Sequence, residues 1–434
     1  MKDKRKNKRI KAEKIDYSFT SKRLTMFSGL ALIFKFFDNI GLVDEFDKHF
    51  HTPMSNATKY KNGQLMLSVI SASLCGVSHL SNIAVFTADI LVKSLLGLPN
   101  GINKDVISTR FKALGESGAR QLEELNGQRV RCQLEKLNLK KLILDADSTV
   151  KTVYGNQGGA SVGYNPHKPG AKSYHPLLLF LSGPKWVVNS WFRPGSAYTS
   201  NGVVGFLKQS SCYLTKAEHI FFRADSGFFS GPLFEWIENQ GWHYLIKAKF
   251  KGLKDLLAEQ PWKPVSGCSG FWVCEFSHQC KNWQKRRQFK AVRWIDTYVQ
   301  KNFFGKTEWV PVYKYACYCS NQDMDAWVAH EYYKQRSTSE NWIEQVKNQL
   351  LAGMTLTNDF WANDILWQLS VLAYNLSVMM RQQDDQLHRQ EHGTFRNWFI
   401  RVPAEFLDSH RPQLRLYEQY LFKEQWVTFA DSII

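Results

Sequence analysis

The stretch "KKLILDADSTV", residues 140–150, is where the chain changes character. Leu142, Ile143 and Leu144 form an apolar run too short for a helix, bounded by lysines and by Asp145 and Asp147. Such a run reads as a buried strand ending in acids. Working outward, "PLLLFLSG" (176–183) and "KWVVNSWFRPG" (185–195) are further strand-like runs stopped by Gly and Pro. "NGVVGFLKQSS" (201–211) has helical texture, "HIFFRAD" (219–225) is another strand with an acidic end, "SGPLFEWIENQG" (230–241) is a helix with a Gly stop, and "WHYLIKAK" (242–249) closes the series. Three strands, helix, strand, helix, strand predict a mixed α/β sheet over 140–249. Asp147 and Asp225 both fall at strand ends, and ligand sites in such sheets lie beyond the carboxyl ends of strands. Asp also caps turns and helices, so a local structural role for Asp145, Asp147 and Asp225 is the competing reading.

Residues 250–328 break the alternation. "FWVCEFSHQC", "RRQFKAVRWIDTYVQ" and "EWVPVYKYACYCS" are strand-rich with no clear helix, and predict a β insertion. Helical texture returns over 329–380. There, "YYKQRSTSENWIEQVKNQL" (332–350) carries Tyr333, Arg336, Glu340 and Lys347. On one continuous helix these offsets share a sector of about 60°. Arg, Glu and Lys in one stripe suit a metal-bound carboxylate flanked by cations that hold phosphates. Two other readings stand beside it. Ser337 with Glu340 fits a capping box that would start the helix at Thr338, and Glu344 shares the stripe with Glu340.

Residues 20–139 read as mainly helical. "RQLEELNGQRVRCQLEKLN" (120–138) predicts an exposed, charge-laced helix. In "DVISTRFKALG" (105–115), Ser108 and Thr109 are expected to cap a short basic helix bearing Arg110 and Lys112, either a DNA-reading helix or an ordinary surface helix. The uncharged segment Asn62–Ala88 is long enough to span a bilayer but holds five serines, His79, Asn82 and Gln64. It reads as one or two buried helices rather than a membrane span. Residues 381–434 are expected to be helical and to offer a dimerisation surface.

The 434 residues are 44% hydrophobic and 22% charged, an ordinary globular balance, but the net charge is +17. Residues 1–14 hold eight Lys/Arg against two acids, so residues 1–19 read as a basic disordered arm. The remaining excess of +11 lies in the folded part. That excess favours a polyanion through phosphate neutralisation and counterion release, and 15 Trp and 17 Tyr supply stacking surfaces for unpaired bases. No signal peptide precedes the eight cysteines. Cys268, Cys274, His278, Cys280, Cys317 and Cys319 lie near one another in sequence without a CxxC pair. They read as reduced structural thiols, with a zinc site as the alternative.

The spacing Y-x2-R-x3-E-x6-K at Tyr333, Arg336, Glu340 and Lys347 resembles the YREK signature of bacterial insertion-sequence DDE transposases. "LDADSTV", "GYNPHKPGAKSYHPLLLF", "FRADSGFF", "YLIKAK" and "FWANDILWQLSVLAYNL" are similar to the insertion-sequence thirteen-eighty family, in order, over roughly residues 140–380. The resemblance implies an RNase H-like catalytic core interrupted by the β-rich insertion, with a helical N-terminal DNA-binding region. It matches Asp147, Asp225 and Glu340 to the catalytic, metal-binding acids, with Asp145 the fallback for the first. It also implies DNA-phosphate contacts for Tyr333, Arg336 and Lys347. In related transposases a Trp of the insertion helps hold a flipped base, for which Trp262, Trp272, Trp283, Trp294 and Trp309 are the candidates.

The function implied is a transposase of the bacterial cytoplasm, associated with the nucleoid. It would bind double-stranded DNA at terminal inverted repeats, cleave the element ends and join them to target DNA, using Mg²⁺ with Mn²⁺ as substitute. Two ends held together imply a homodimer on DNA. Lys168 and Lys172, in the basic loop 164–175, are expected on the DNA backbone. A nuclease of the same fold that cuts without joining, and a non-catalytic DNA-binding descendant of a transposase, are the alternatives.

Overall fold

The computed structural model describes residues 10–50, 59–77, 79–215, 217–303, 306–350, 352 and 357–433. Residues 1–9 of the expected basic arm lie outside the described residues. The N-terminal part holds β1 (Leu24–Thr25), α1 (Leu30–Asn39), α2 (Leu42–His49), α3 (Asn62–Leu74), α4 (Ile83–Ala88), α5 (Ile90–Leu96) and α6 (Lys104–Leu137). All of α3 except Gln64 is buried, which explains why this stretch carries no charge. Among the described residues no helix is long and apolar enough to cross a membrane. α6 corrects the reading of its start. Its cap is Asn103, whose side chain accepts from the Asp105 N–H, so Ser108 and Thr109 lie inside the helix. The backbone is interrupted at Gly115 (φ 55°, ψ −147°), a conformation open to glycine.

The main sheet is built from β2 (Lys141–Ser148), β6 (Leu177–Leu181), β7 (Trp186–Trp191), β8 (His219–Ala224) and β9 (His243–Lys247), with α7 (Val203–Ser211) and α8 (Gly231–Asn239) between the later strands. Short β3 (Lys151–Thr152), β4 (Ser161–Val162) and β5 (Lys172–Tyr174) form a separate small sheet in the order β3-β5-β4. In the main sheet the order is β7-β6-β2-β8-β9. β2, β8 and β9 run parallel while β6 and β7 are antiparallel to their neighbours. Apart from the short strands β3, β4 and β5, which the sequence reading missed, the alternation read from 140–249 is the order observed.

The insertion contains α9 (Leu253–Ala258), a helix that the sequence reading missed, then β10 (Lys263–Pro264), β11 (Phe271–His278), β12 (Arg287–Phe303) and β13 (Lys306–Ser320). Tyr318, Cys319 and Ser320 of β13 pair with Lys247, Ile246 and Leu245 of β9. The insertion thus continues the main sheet to nine strands.

The chain returns through α10 (Ala326–Lys334), a 3₁₀ turn at Gln335–Ser337, α11 (Thr338–Glu344) and a π turn at Gln345–Gln349, before α12 (Phe360–Arg381). α12 is buried along nearly its whole length. Several of its polar side chains meet β7 or α6. Asn375 accepts from the Val187 N–H (2.8 Å) and donates to Asn126 Oδ1 (2.7 Å), and Trp367 Nε1–H donates to Ser190 Oγ (2.7 Å). The second half of α6 packs here, burying Leu122, Glu123, Leu125, Asn126 and Val130. It is an amphipathic helix with one face buried and its charged face exposed, rather than a helix exposed all round. Beyond α13 (His392–Phe395), β14 (Ala404–Leu407) and β15 (Gln413–Leu416) pair with β1 in the order β1-β14-β15, and α14 (Lys423–Ser432) ends the chain. The C-terminal region expected to be helical therefore contains two strands.

Candidate active site

Residues far apart in sequence meet because β2 and β8 are parallel neighbours. Ala146 registers with Ala224, so Asp147 and Asp225, each one residue further on, sit side by side at adjacent carboxyl ends. The α10–α11 run crosses above them and is tied down at three points. Arg223 Nη1 donates to the Tyr332 carbonyl (2.8 Å), Arg336 Nη2 to the Ala146 carbonyl (3.0 Å) and Lys347 Nζ to the Val150 carbonyl (2.9 Å). A cavity of about 530 Å³ opens between helix and strand ends. Asp147, Asp225, Glu340, Tyr333 and Arg336 line it, joined by Ser226, Lys247, Trp294, Tyr318, His330 and Lys334.

The capping-box reading of Glu340 fails. Ser337 is helical (φ −57°, ψ −21°), makes no side-chain cap, and donates its hydroxyl to the Lys334 carbonyl (2.8 Å). The run from α10 continues through it, which leaves Glu340 aimed at the cavity. Glu344 does not line the cavity. Its carboxylate accepts from Asn348 Nδ2 (3.3 Å) and Gln349 Nε2 (3.1 Å).

Asp147 accepts from the Ser148 N–H at Oδ1 (2.8 Å) and faces Arg336 Nη2 at Oδ2 (3.0 Å). Burial pushes its carboxyl up to about 6. Asp225 and Glu340 push the same way, against Arg336 and the Ser148 N–H. Burial works against the Arg336 charge as well, but Asp147, Tyr333 and Asp225 outweigh it and raise its pKa. Only 5% of Arg336 is exposed; its Nη2 is engaged inside the site, while its Nε is buried with no hydrogen-bond partner among the described residues. Tyr333 packs on Tyr318 with ring centroids 4.7 Å apart, and burial pushes its hydroxyl up to about 12. Asp225 serves as a cap, of a 3₁₀ turn rather than of the following α-helix: Oδ1 accepts from the Gly227 N–H (2.9 Å). Its second oxygen makes no protein hydrogen bond among the described residues.

Asp145 faces the same side of β2 but is closed off. It is fully buried in a bidentate pair with Arg223, Nε to Oδ1 at 2.7 Å and Nη2 to Oδ2 at 2.8 Å. The three remaining acids offer only carboxylate oxygens, the donors preferred by hard divalent cations. As placed, no group of three His, Cys, Asp or Glu side chains among the described residues is close enough to hold a metal ion. The cysteine cluster falls under the same statement. Cys274, Cys317 and Cys319 are buried free thiols, and burial pushes the Cys274 thiol up to about 12.

The other basic residues singled out from sequence lie elsewhere. Arg110 donates to the Tyr60 carbonyl (3.4 Å) and Asn62 Oδ1 (2.9 Å), while Lys112 is exposed on α6. Lys168 lies over the Tyr154 ring (4.5 Å) and Lys172 donates to Asn156 Oδ1 (3.1 Å). Lys247, His330 and Lys334 were missed. Lys247 ends the strand "WHYLIKAK" next to β8, and that placement was the available signal. Of the five insertion tryptophans, Trp294 lines the cavity.

Comparison with solved structures finds a piggyBac transposase synaptic complex with hairpin DNA at 15% identity and TM-score 0.49, covering 87% of this chain and 81% of that one. A Mos1 transposase paired-end complex with left transposon end matches at 10% identity and TM-score 0.19, covering 48% and 64%. Likenesses at these scores carry no argument about this chain. No curated protein matches it. The model of the family described as "Transposase DDE domain group 1" matches residues 7–433, and the chain belongs to that family of DDE transposases.

Proposed function

We propose that the protein binds the terminal inverted repeats of a bacterial insertion sequence, cleaves DNA at the element ends and joins them to target DNA. The observation that carries this reading is the convergence of Asp147, Asp225 and Glu340, from two parallel strand ends and one crossing helix, on a single cavity. The order β7-β6-β2-β8-β9, with the first two antiparallel, supports an RNase H-like core. The spacing of Tyr333, Arg336, Glu340 and Lys347 supports the insertion-sequence thirteen-eighty family.

Asp147, Asp225 and Glu340 would hold divalent ions, Mg²⁺ or Mn²⁺. When bound, such ions activate an attacking water or 3′-hydroxyl and stabilise the leaving oxygen. Arg336 is the counter-charge that keeps Asp147 ionised before loading. With Tyr333, Lys247 and Lys334 it lines the face a scissile phosphate would approach. Lys347, anchored on Val150, adds a point charge at the helix end. Trp294 offers an indole face to an unpaired base. Lys168 and Lys172, and the N-terminal region with Arg110 and Lys112, would extend the contact along duplex DNA. A homodimer would bring two ends together.

The test is Mg²⁺- or Mn²⁺-dependent cleavage of DNA carrying the element's own ends. Asp147→Asn and Glu340→Gln are expected to lose cutting by at least about 100-fold while keeping DNA binding, and Glu344→Gln to cut normally. Wild-type cutting by Glu340→Gln would overturn the site.

A further inference from the structure

The parallel ladder between β2 and β8 ends at Ala146 and Ala224, one residue before Asp147 and Asp225, so it sets the two strand ends side by side but does not itself tie the two carboxylates together. The segment 194–202, between β7 and α7, supplies a bridge. Thr199 reaches both loops. Its hydroxyl lies 3.1 Å from Ser148 Oγ, one residue after Asp147. Its Cβ and methyl pack against Gly227, where an added Cβ would meet Thr199 Cβ at 3.1 Å and Cγ2 at 3.2 Å. The Ser148 N–H holds Asp147 Oδ1 and the Gly227 N–H holds Asp225 Oδ1. One side chain thus contacts both residues whose N–H groups orient the two carboxylates.

The bridge is itself braced. His175 accepts or donates at two sites whose partners decide its tautomer. Nδ1 lies 2.6 Å from the Ala197 carbonyl and must donate, so Nε2 accepts from Ser148 Oγ–H (3.0 Å). That leaves the Ser148 oxygen to accept the Thr199 hydroxyl. Arg193 shapes the segment from below. Its Nε donates to the His175 carbonyl (3.1 Å), and its Nη1 donates to the carbonyls of Tyr198 (3.3 Å) and Asn201 (3.0 Å), on either side of Thr199. Gly195 anchors the start, since a Cβ there would lie 2.3 Å from the Ser161 and Ser173 carbonyl oxygens.

We propose that Thr199, oriented by His175 through Ser148, is a positioning residue that fixes the separation of the Asp147 and Asp225 carboxylates for divalent-ion binding. This rests on the proposed ligand role of those two acids. Groups that orient ligands in this way are worth 10- to 100-fold in metal affinity.

The experiment measures Mn²⁺ binding to the full chain without DNA, by calorimetry or by loss of the free Mn²⁺ paramagnetic resonance signal. Thr199→Val, which keeps the shape and removes the hydroxyl, is expected to bind Mn²⁺ about 10-fold more weakly while its melting temperature moves by only a few degrees. Thr199→Ser keeps the hydroxyl and is expected to recover most of the affinity. Ser148→Ala combined with Thr199→Val is expected to lose little more than Ser148→Ala alone, because Ser148→Ala already breaks the Thr199 contact along with the one to His175. Wild-type Mn²⁺ affinity in Thr199→Val, alongside loss in Asp147→Asn, overturns the positioning role. Wild-type affinity in Asp147→Asn overturns the ligand assignment beneath it.

Discussion

Removing the Asp145 charge separates two neighbouring acids by mechanism. Asp145 and Arg223 are 0% and 1% exposed, joined by two short charge-assisted bonds, and Arg223 also donates to Ser182 Oγ (3.1 Å) and the Tyr332 carbonyl (2.8 Å). Asp145→Asn replaces one acceptor with an NH₂ group facing guanidinium donors and leaves Arg223 buried with its charge uncompensated. Breaking one side of such a pair costs about 3–5 kcal/mol, or roughly 6–20 °C if the core melts as a unit of 150–250 residues. The double replacement Asp145→Leu with Arg223→Met is expected to regain much of this, because the desolvation penalty of both ions disappears together. Thermal melting at several scan rates reads the stability, and cleavage of end-bearing DNA reads the function. Asp145→Asn is expected to melt early and, at a temperature where it is folded, to cut at a measurable rate. Unchanged melting together with abolished cutting would refute the argument and make Asp145 a catalytic acid.

Other consequences follow from the same structure. Burial pushes Asp364 up to about 7, with Glu123 and Glu116 acting in the same direction against Gln368 and Arg120. Its ordinary value is 3.8, so between about pH 4 and 7 the folded chain holds a proton the unfolded chain releases, and stability falls as pH rises through that window. Asp364→Asn is expected to stabilise at pH 8 by an amount on the order of 4 kcal/mol or less, and by clearly less at pH 5. An equal gain at both pH values would contradict this. Gly29 donates to the Ile400 carbonyl (3.2 Å), and an added Cβ would lie 1.8 Å from the Phe399 carbonyl oxygen. Because that obstacle is backbone, Gly29→Ala is expected to cost about 1–3 kcal/mol or more. It should also quicken proteolysis at the β1–β14 junction. Trp294→Ala is expected to weaken binding of end DNA carrying an unpaired base by about 1–3 kcal/mol. The exposed Trp309 (64%) changed to Ala should leave that binding unaltered.

The sequence by itself determined the order of the main-sheet strands and their helices over 140–249, though not the short strands β3 to β5, because short apolar runs, Gly stops and period-2 patterning are local signals. It also determined that α3 is interior, since 62–74 holds no charge, and that two acids close two strands. The tertiary structure decided which acids can act. Asp145 and Asp147 are two apart and face the same side of β2. They differ only in what covers them, and Arg223 comes from the neighbouring strand. Glu340 and Glu344 share one helical stripe, yet Glu340 lines the cavity while Glu344 accepts from Asn348 and Gln349. The capping box was a correct local pattern that tertiary anchoring overrode, since Arg336 and Lys347 pin the run as one continuous element. Likewise α6 looks exposed by composition, and its burial exists because α12, β7 and Gln209 of α7 lie against it. Local chemistry sets which element a segment forms. Which side chains meet depends on strand register and on contacts between residues tens to hundreds of positions apart, and no local pattern carries those.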